Sequence, residues 1–254
     1  MGKAALYRPE TASPVKFDYN PIAYPMEYKM NIEQARFNMV EQQIRPWNVS
    51  DPSVLELLSS VKREDFVPAA HKGLAFADLE IPLLGSHDEA LRLGQCMLVP
   101  RLDARLLQDV AVQPHETVLE IGTGSGYMAA LLARKSRKVV TLEIVPELAN
   151  MARNNLRNAG IQNAEVRLAD GAQLTSADGR YDVIVLSGSV AEIPDTLLSM
   201  LAIGGRLIAI VGDDPVMRTT IVTRVGEADL RSVQSWDTLA PRLRHFPEPS
   251  RFQF

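Results

Sequence analysis

The chain of 254 residues contains a single cysteine, Cys96. That excludes an intramolecular disulfide and removes any need for an oxidising compartment. Long apolar runs are missing as well. None approaches the roughly 18 residues of a membrane span, and the opening MGKAALYRPETASP has no apolar core of a secretory signal. A cytoplasmic location is therefore expected, with no membrane partner. Positive charge is not in excess: 27 Lys and Arg stand against 31 Asp and Glu, for a net charge of -4 and a pI near 5.7. That balance argues against a nucleic-acid partner. The four histidines, His71, His87, His115 and His245, show no ligand spacing, and no metal is expected. The remainder is 46% hydrophobic and 23% charged, which is ordinary for a globular chain of one large or two small domains.

What is present changes character along the chain. Residues 1–29 carry Pro9, Pro14, Pro21 and Pro25, with Tyr7, Tyr19, Tyr24 and Tyr28 between them. Proline fixes φ and biases its predecessor toward extended conformations, so this stretch reads as an extended or disordered arm. Residues 30–112 read as a helical segment. Ile32, Ala35, Met39, Val40 and Ile44 fall at helical spacing before Pro46, and Asp51 with Pro52 opens a second helix, DPSVLELLSSV. Residues 69–100 read as irregular and 101–112 as another helix. Over 113–254 the rhythm is different. Strands are expected at 116–121, 138–144, 164–170, 181–188 and 206–212, and helices at 126–136, 146–160 and 193–205. A closing hairpin follows in TTIVTRVG and LRSVQSWD. This alternation predicts an α/β, Rossmann-like fold: a mostly parallel sheet with helices on both faces. The aromatic tail, Phe246, Phe252 and Phe254, is expected to pack on the domain or on a partner.

The chemistry-bearing text is LEIGTGSGY, residues 119–127, between the first of these strands and its helix. Gly122, Gly124 and Gly126 allow a sharp turn and close approach of a ligand. Dinucleotide folds want G-x-G-x-x-G and a pyrophosphate at the helix start. Here the spacing is G-x-G-x-G, and Glu120 precedes it. A carboxylate there repels a pyrophosphate and attracts an ammonium group. Glu143, followed by Ile144, ends the second strand, where an acid accepts from ribose hydroxyls. Asp170, followed by Gly171, ends the third, where an acid accepts from an adenine amine. With Ile121 and Thr123 flanking the glycine turn, the set fits adenosine carrying an amino-acid tail: S-adenosylmethionine, with S-adenosylhomocysteine as product.

At this point the chain resembles the protein-L-isoaspartate O-methyltransferase family. The matching text is VKREDFVP (61–68), FADLEIPL (76–83), GQ followed by Pro100, VLEIGTGSGYMAALLA (118–133), ADG (169–171), YDVIV (181–185) and GGRLIAIVG (204–212). The likeness runs from residue 31 to about 243. It implies a seven-stranded methyltransferase sheet with the last strand antiparallel, and a 113–254 core that binds S-adenosylmethionine. It also implies a helical N-terminal segment on the substrate side. The implied reaction methylates the carboxylate of an L-isoaspartyl residue in damaged proteins or peptides. Such a reaction needs no general base, because a carboxylate is already nucleophilic; it needs in-line placement and exclusion of water.

The substrate side departs from the family. Its G-Q-T-I-S-x-P segment reads GQCMLVP here, so Cys96 stands at the threonine position and Leu98 at that of the serine, which contacts the reacting carboxylate. Leucine offers no donor. Ser187, Ser189 or a backbone amide is the expected substitute. Cys96 reads as a loop wall, since no histidine is placed beside it by sequence. Three readings follow: methylation of an isoaspartyl carboxylate, methylation of another peptide or small molecule, or a cofactor-binding interaction module that has lost catalysis. A nicotinamide oxidoreductase is a fourth, set against by Glu120.

Overall fold

The computed structural model describes residues 31–248. The arm of residues 1–29, Phe252 and Phe254 lie outside them. Helix α1, Ile32–Asn38, runs on through a π-helical turn, Met39–Ile44, to a 3₁₀ turn, Arg45–Trp47, that contains Pro46. Helix α2, Pro52–Ser60, starts as its sequence predicts, with the Asp51 carboxylate accepting from the Ser53 N–H at 2.8 Å.

The stretch 69–100 is more ordered than its composition suggests. A two-residue strand, β1 (Ile81–Pro82), pairs antiparallel with β2 (Cys96–Met97). Between them lies helix α3, His87–Leu93. Ser86 caps it and Gly94 ends it with φ 66°, a left-handed conformation natural to glycine. GQCMLVP is therefore a helix stop, a short strand and a helix start in succession. Pro100 sits at the first position of α4, Pro100–Val110.

Seven strands form the main sheet: β3 (Thr117–Ile121), β4 (Lys138–Glu143), β5 (Ala164–Leu168), β6 (Tyr181–Val190), β7 (Leu201–Asp213), β8 (Val216–Arg224) and β9 (Leu230–Thr238). Their spatial order is β5-β4-β3-β6-β7-β8-β9. Helix α5 (Tyr127–Lys135) joins β3 to β4, α6 (Pro146–Asn158) joins β4 to β5, and α7 (Asp195–Ser199) precedes β7. The first five strands are parallel; β8 is antiparallel to β7, and β9 to β8. The antiparallel strand is thus the next-to-last in sequence, and β9 at the edge runs with the first five. Short links at 214–215 and 225–229 allow only antiparallel neighbours.

The central strands are buried on both faces. Val118, Val183, Val185, Ile208 and Ile210 face α4, α5 and the N-terminal helices; Leu119, Ile121, Ile184, Leu186 and Leu207 face Leu197 and Met200. This is the period-two alternation of a strand, with apolar side chains on each side. Met39, Leu58 and Leu106 share the first core with Leu131 and Leu132, so residues 32–112 and the sheet are packed as one body.

The helix expected over 193–205 is shorter than predicted. It ends at Ser199, and β7 begins at Leu201, which pairs with Tyr181. Gly205 shows why pairing wins: a Cβ there would stand 2.9 Å from the carbonyl oxygens of Ala202 and Asp182.

Candidate cofactor and acceptor site

Ligands of open α/β sheets settle beyond the carboxyl ends of the strands, where the strand order reverses. Here the order reverses between β3 and β6, and a cleft opens at that place. Its walls include Gly94, Cys96, Leu98, Ile121, Gly122, Gly124, Glu143, Ile144, Asp170, Gly171 and Ser187. Of the residues singled out from the sequence, Leu98, Ile121, Gly122, Gly124, Glu143, Ile144, Asp170, Gly171 and Ser187 line this cleft, whereas Glu120, Thr123 and Gly126 do not.

The glycine bend is held from beneath. Gly122 and Gly124 have φ values of 95° and 53°. The Gly124 N–H donates to Glu143 Oε2 at 2.8 Å, and Val145 N–H donates to Glu143 Oε1 at 3.0 Å. Burial pushes the Glu143 carboxyl up from its ordinary range, and these amides oppose the shift. Gly126 has a different role from the one its spacing suggested. It faces α6, where a Cβ would stand 3.3 Å from the Ala152 Cα and from the Leu156 Cγ. Gly171 packs closely too, since a Cβ there would fall 2.4 Å from Ile121 Cγ2. Thr123 is buried, and its hydroxyl shares a 2.5 Å hydrogen bond with Thr141.

Glu120 departs from expectation most clearly. It alternates with Leu119 and Ile121, so it points to the helical face of the sheet and is fully buried. Its Oε2 accepts from Thr141 at 2.7 Å and its Oε1 from Ser187 at 2.8 Å. It does not line the cleft, so it is not placed to meet an ammonium group there directly. Burial raises its pKa to about 8, opposed by the Thr141 and Ser187 hydrogen bonds. The folded chain therefore holds a proton that the unfolded chain releases above about pH 4.5. Stability must fall as pH rises from there through about 8. Glu120→Gln removes this term, so its melting temperature is expected to decline less than wild type between pH 5 and 9. Scanning calorimetry across that range checks this, and parallel curves would refute it.

The serines expected to replace the family hydroxyl are both engaged. Ser187 donates to Glu120, and Ser189 is fully buried and donates to the Ala240 carbonyl at 2.8 Å. Leu98 is 7% exposed, packs in the core and still lines the cleft. Cys96 is buried, and desolvation pushes its thiol up to about 12, so it is not a thiolate at neutral pH.

Two features were not foreseen. The first is a strap formed by the segment after β9. Ser189 N–H donates to the Pro241 carbonyl at 2.8 Å, and Leu243 N–H to the Ser189 carbonyl at 2.9 Å. The strap lays Leu243 against the bend, 3.0 Å from where a Gly122 Cβ would be. His245 Nδ1 lies 2.7 Å from Asp170 Oδ2, while Asp170 Oδ1 accepts from Ala172 N–H at 3.0 Å. Phe246 is buried on the domain, one of the two alternatives for the aromatic tail.

The second is a buried ion pair behind Leu98. Arg63 is fully buried; its Nη1 donates to Asp103 Oδ2 at 2.8 Å, Nη2 to the Leu98 carbonyl at 2.6 Å, and Nε to the Ala75 carbonyl at 3.0 Å. Its guanidinium lies 4.9 Å from the ring centre of Tyr127. Burial raises the Asp103 pKa to about 6, opposed by Arg63. A signal for Asp103 was present: with Leu106, Leu107 and Val110 it falls on the apolar stripe of α4.

Among the described residues no helix is long and apolar enough to cross a membrane. The model of the family described as Protein-L-isoaspartate(D-aspartate) O-methyltransferase matches residues 34–235. A protein-L-isoaspartate O-methyltransferase of Methanoculleus marisnigri is 40% identical over 70% of this chain and 77% of its own. One from Herpetosiphon aurantiacus is 37% identical over 77% of this chain and 84% of its own. Among solved structures, a Plasmodium falciparum chain described as a beta-aspartate methyltransferase, in complex with S-adenosyl-L-homocysteine, superposes with a TM-score of 0.67. It is 20% identical and covers 84% of this chain and 98% of that one, a likeness of fold. The length of the family match and the identity to these relatives place the chain in the protein-L-isoaspartate O-methyltransferase family.

Proposed function

We propose that the protein transfers a methyl group from S-adenosylmethionine to a carboxylate, that of an L-isoaspartyl residue in a damaged protein or peptide. One observation carries the reading: in a chain of this family, Glu143 and Asp170 sit at adjacent strand tips beside a glycine bend free of side chains. Glu143 would take the ribose hydroxyls and Asp170 the adenine amine, with Ile144 and Ile121 as apolar walls. The sulfonium supplies an activated methyl group. The chain's own contribution is placement: the bend and the Leu98 wall hold donor and acceptor close, roughly 3 Å at attack, and keep water out.

Leu98 favours a second reading, an acceptor other than isoaspartate, because neither it nor Ser187 has a free donor for a carboxylate oxygen. Incubation with labelled S-adenosylmethionine and an isoaspartyl peptide decides. An alkali-labile ester on the isoaspartyl peptide, absent from its aspartyl counterpart, supports the first reading. Cofactor binding without that ester supports the second. Leu98→Ser is expected to raise transfer to the isoaspartyl peptide about tenfold, the worth of one hydrogen bond to a charged group. An unchanged or lower rate would mean that the acceptor does not meet this position.

A further inference from the structure

The strap after β9 puts Leu243, Arg244 and Phe246 on the walls of the cleft. Leu243 is seated on glycine: a Cβ on Gly122 or on Gly188 would stand 3.0 or 2.9 Å from its side chain. Ser189 holds the strap on one side, through its hydroxyl to Ala240 and its backbone to Pro241 and Leu243; buried Phe246 holds the other. With the strap so placed, the cleft has a volume of about 70 Å³. Pockets for cofactors and other small molecules take about 300–1,000 Å³. Between the two anchors lies His245, with φ 67°, in the left-handed region that few non-glycine residues enter. Its Nδ1 reaches Asp170 Oδ2 at 2.7 Å, and a carboxylate only accepts, so the ring donates. Oδ1 is already taken by the Ala172 N–H at 3.0 Å. The oxygen left for an adenine amine is therefore the one that His245 holds.

We infer that the strap is a latch on the cleft, closed by His245 on Asp170, and that the cofactor enters only when its adenine amine takes the place of the imidazole. The inference rests on the S-adenosylmethionine reading. Volume requires the strap to shift, because a nucleoside with an amino-acid tail does not fit in the space it leaves. Hydrogen bonding makes the shift an exchange: Oδ2 gives up one N–H donor and receives another. The contact is suited to being given up. The His245 side chain is 59% exposed and that of Asp170 22%, and ion pairs and hydrogen bonds in contact with water are held weakly. A closed latch lowers the apparent affinity in proportion to the fraction of open molecules. Loosening it must therefore tighten binding, the opposite of what loss of a ligand contact or of a structural contact would do.

Titration of the full chain with S-adenosylhomocysteine, by calorimetry and by stopped-flow mixing, tests this. His245→Gly keeps the left-handed backbone at no steric cost and removes the imidazole. It is expected to bind about fivefold more tightly than wild type, the worth of one ordinary hydrogen bond, which corresponds to a latch closed in about four molecules of five. The gain should appear as faster association with dissociation unchanged. His245→Asn tolerates positive φ and offers an amide donor near the position of Nδ1, so it should bind within about twofold of wild type. Equal or weaker binding by His245→Gly overturns the inference. So does a gain confined to slower dissociation, or an equal gain in the asparagine variant. Failure of the wild-type chain to bind S-adenosylhomocysteine at all is a different result: it removes the cofactor reading, and this inference with it.

Discussion

Glu143→Ala is expected to weaken S-adenosylmethionine binding about a hundredfold or more. A hydrogen bond to a charged group contributes about 1.5–3 kcal/mol, and a ribose presents two hydroxyls to this carboxylate. Losing both gives at least about 3 kcal/mol, roughly a hundredfold in Kd. The residue does more than wait for a ligand. Its two oxygens hold the amides of Gly124 and Val145, so alanine also releases the bend from β4. Glutamine is no substitute, because its NH₂ group would face one of those N–H donors. It is expected to fall between wild type and alanine, about tenfold down. Titration with S-adenosylhomocysteine reads both variants. An alanine variant that binds within threefold of wild type would mean the ribose lies elsewhere.

The fold was legible because its central strands are buried on both faces. VLEI, YDVIVL and RLIAIV read as nearly unbroken apolar runs, and such runs separated by helices leave few architectures. Legibility failed where a local pattern had a tertiary competitor. Residues 193–205 have a helical composition, yet the backbone partner of Tyr181 takes Leu201 into the sheet. Helix α3 was missed although its start, Ser86 followed by Glu89, is a capping pattern; the surrounding glycines and proline hid it.

The site divides the same way. Glu143 ends β4 and Asp170 follows the end of β5, both at the carboxyl edge of the sheet where the cleft opens, so sequence position fixes their placement. Glu120 lies inside a strand, and there alternation decides its direction. Counting from Leu119 would have turned it away from the cleft, had its neighbours' faces been known. The strap was illegible, because nothing in TLAPRLRHF says which strand end it will cross. Ser189 looked like a free hydroxyl until the strap consumed it.

Arg63→Met is expected to destabilise the fold by about 3–5 kcal/mol, the cost of leaving one charge of a buried pair uncompensated. The side chain is similar in length and the site is apolar on the Phe66 and Tyr127 side, so lost volume is a minor part of the effect. Charge is the major part, and pH exposes it. Already in the wild type Asp103 titrates near 6, well above its ordinary 3.8, because burial outweighs Arg63. Without the guanidinium its pKa must rise further. The folded variant then holds a proton that the unfolded chain has released above about 3.8, so its stability falls as pH rises through that wider window. Chemical denaturation should show a large deficit at pH 8 and a smaller one at pH 5. Replacing both partners, Arg63→Met with Asp103→Leu, removes the stranded charge and should recover most of the loss, since apolar replacements of buried pairs are often neutral or better. Recovery of stability must not bring recovery of binding: the double variant lacks the Arg63 tether on the Leu98 wall of the cleft, and S-adenosylhomocysteine should bind it about tenfold more weakly than wild type. A double variant as stable as wild type and equally good at binding would leave the pair with no part in the site.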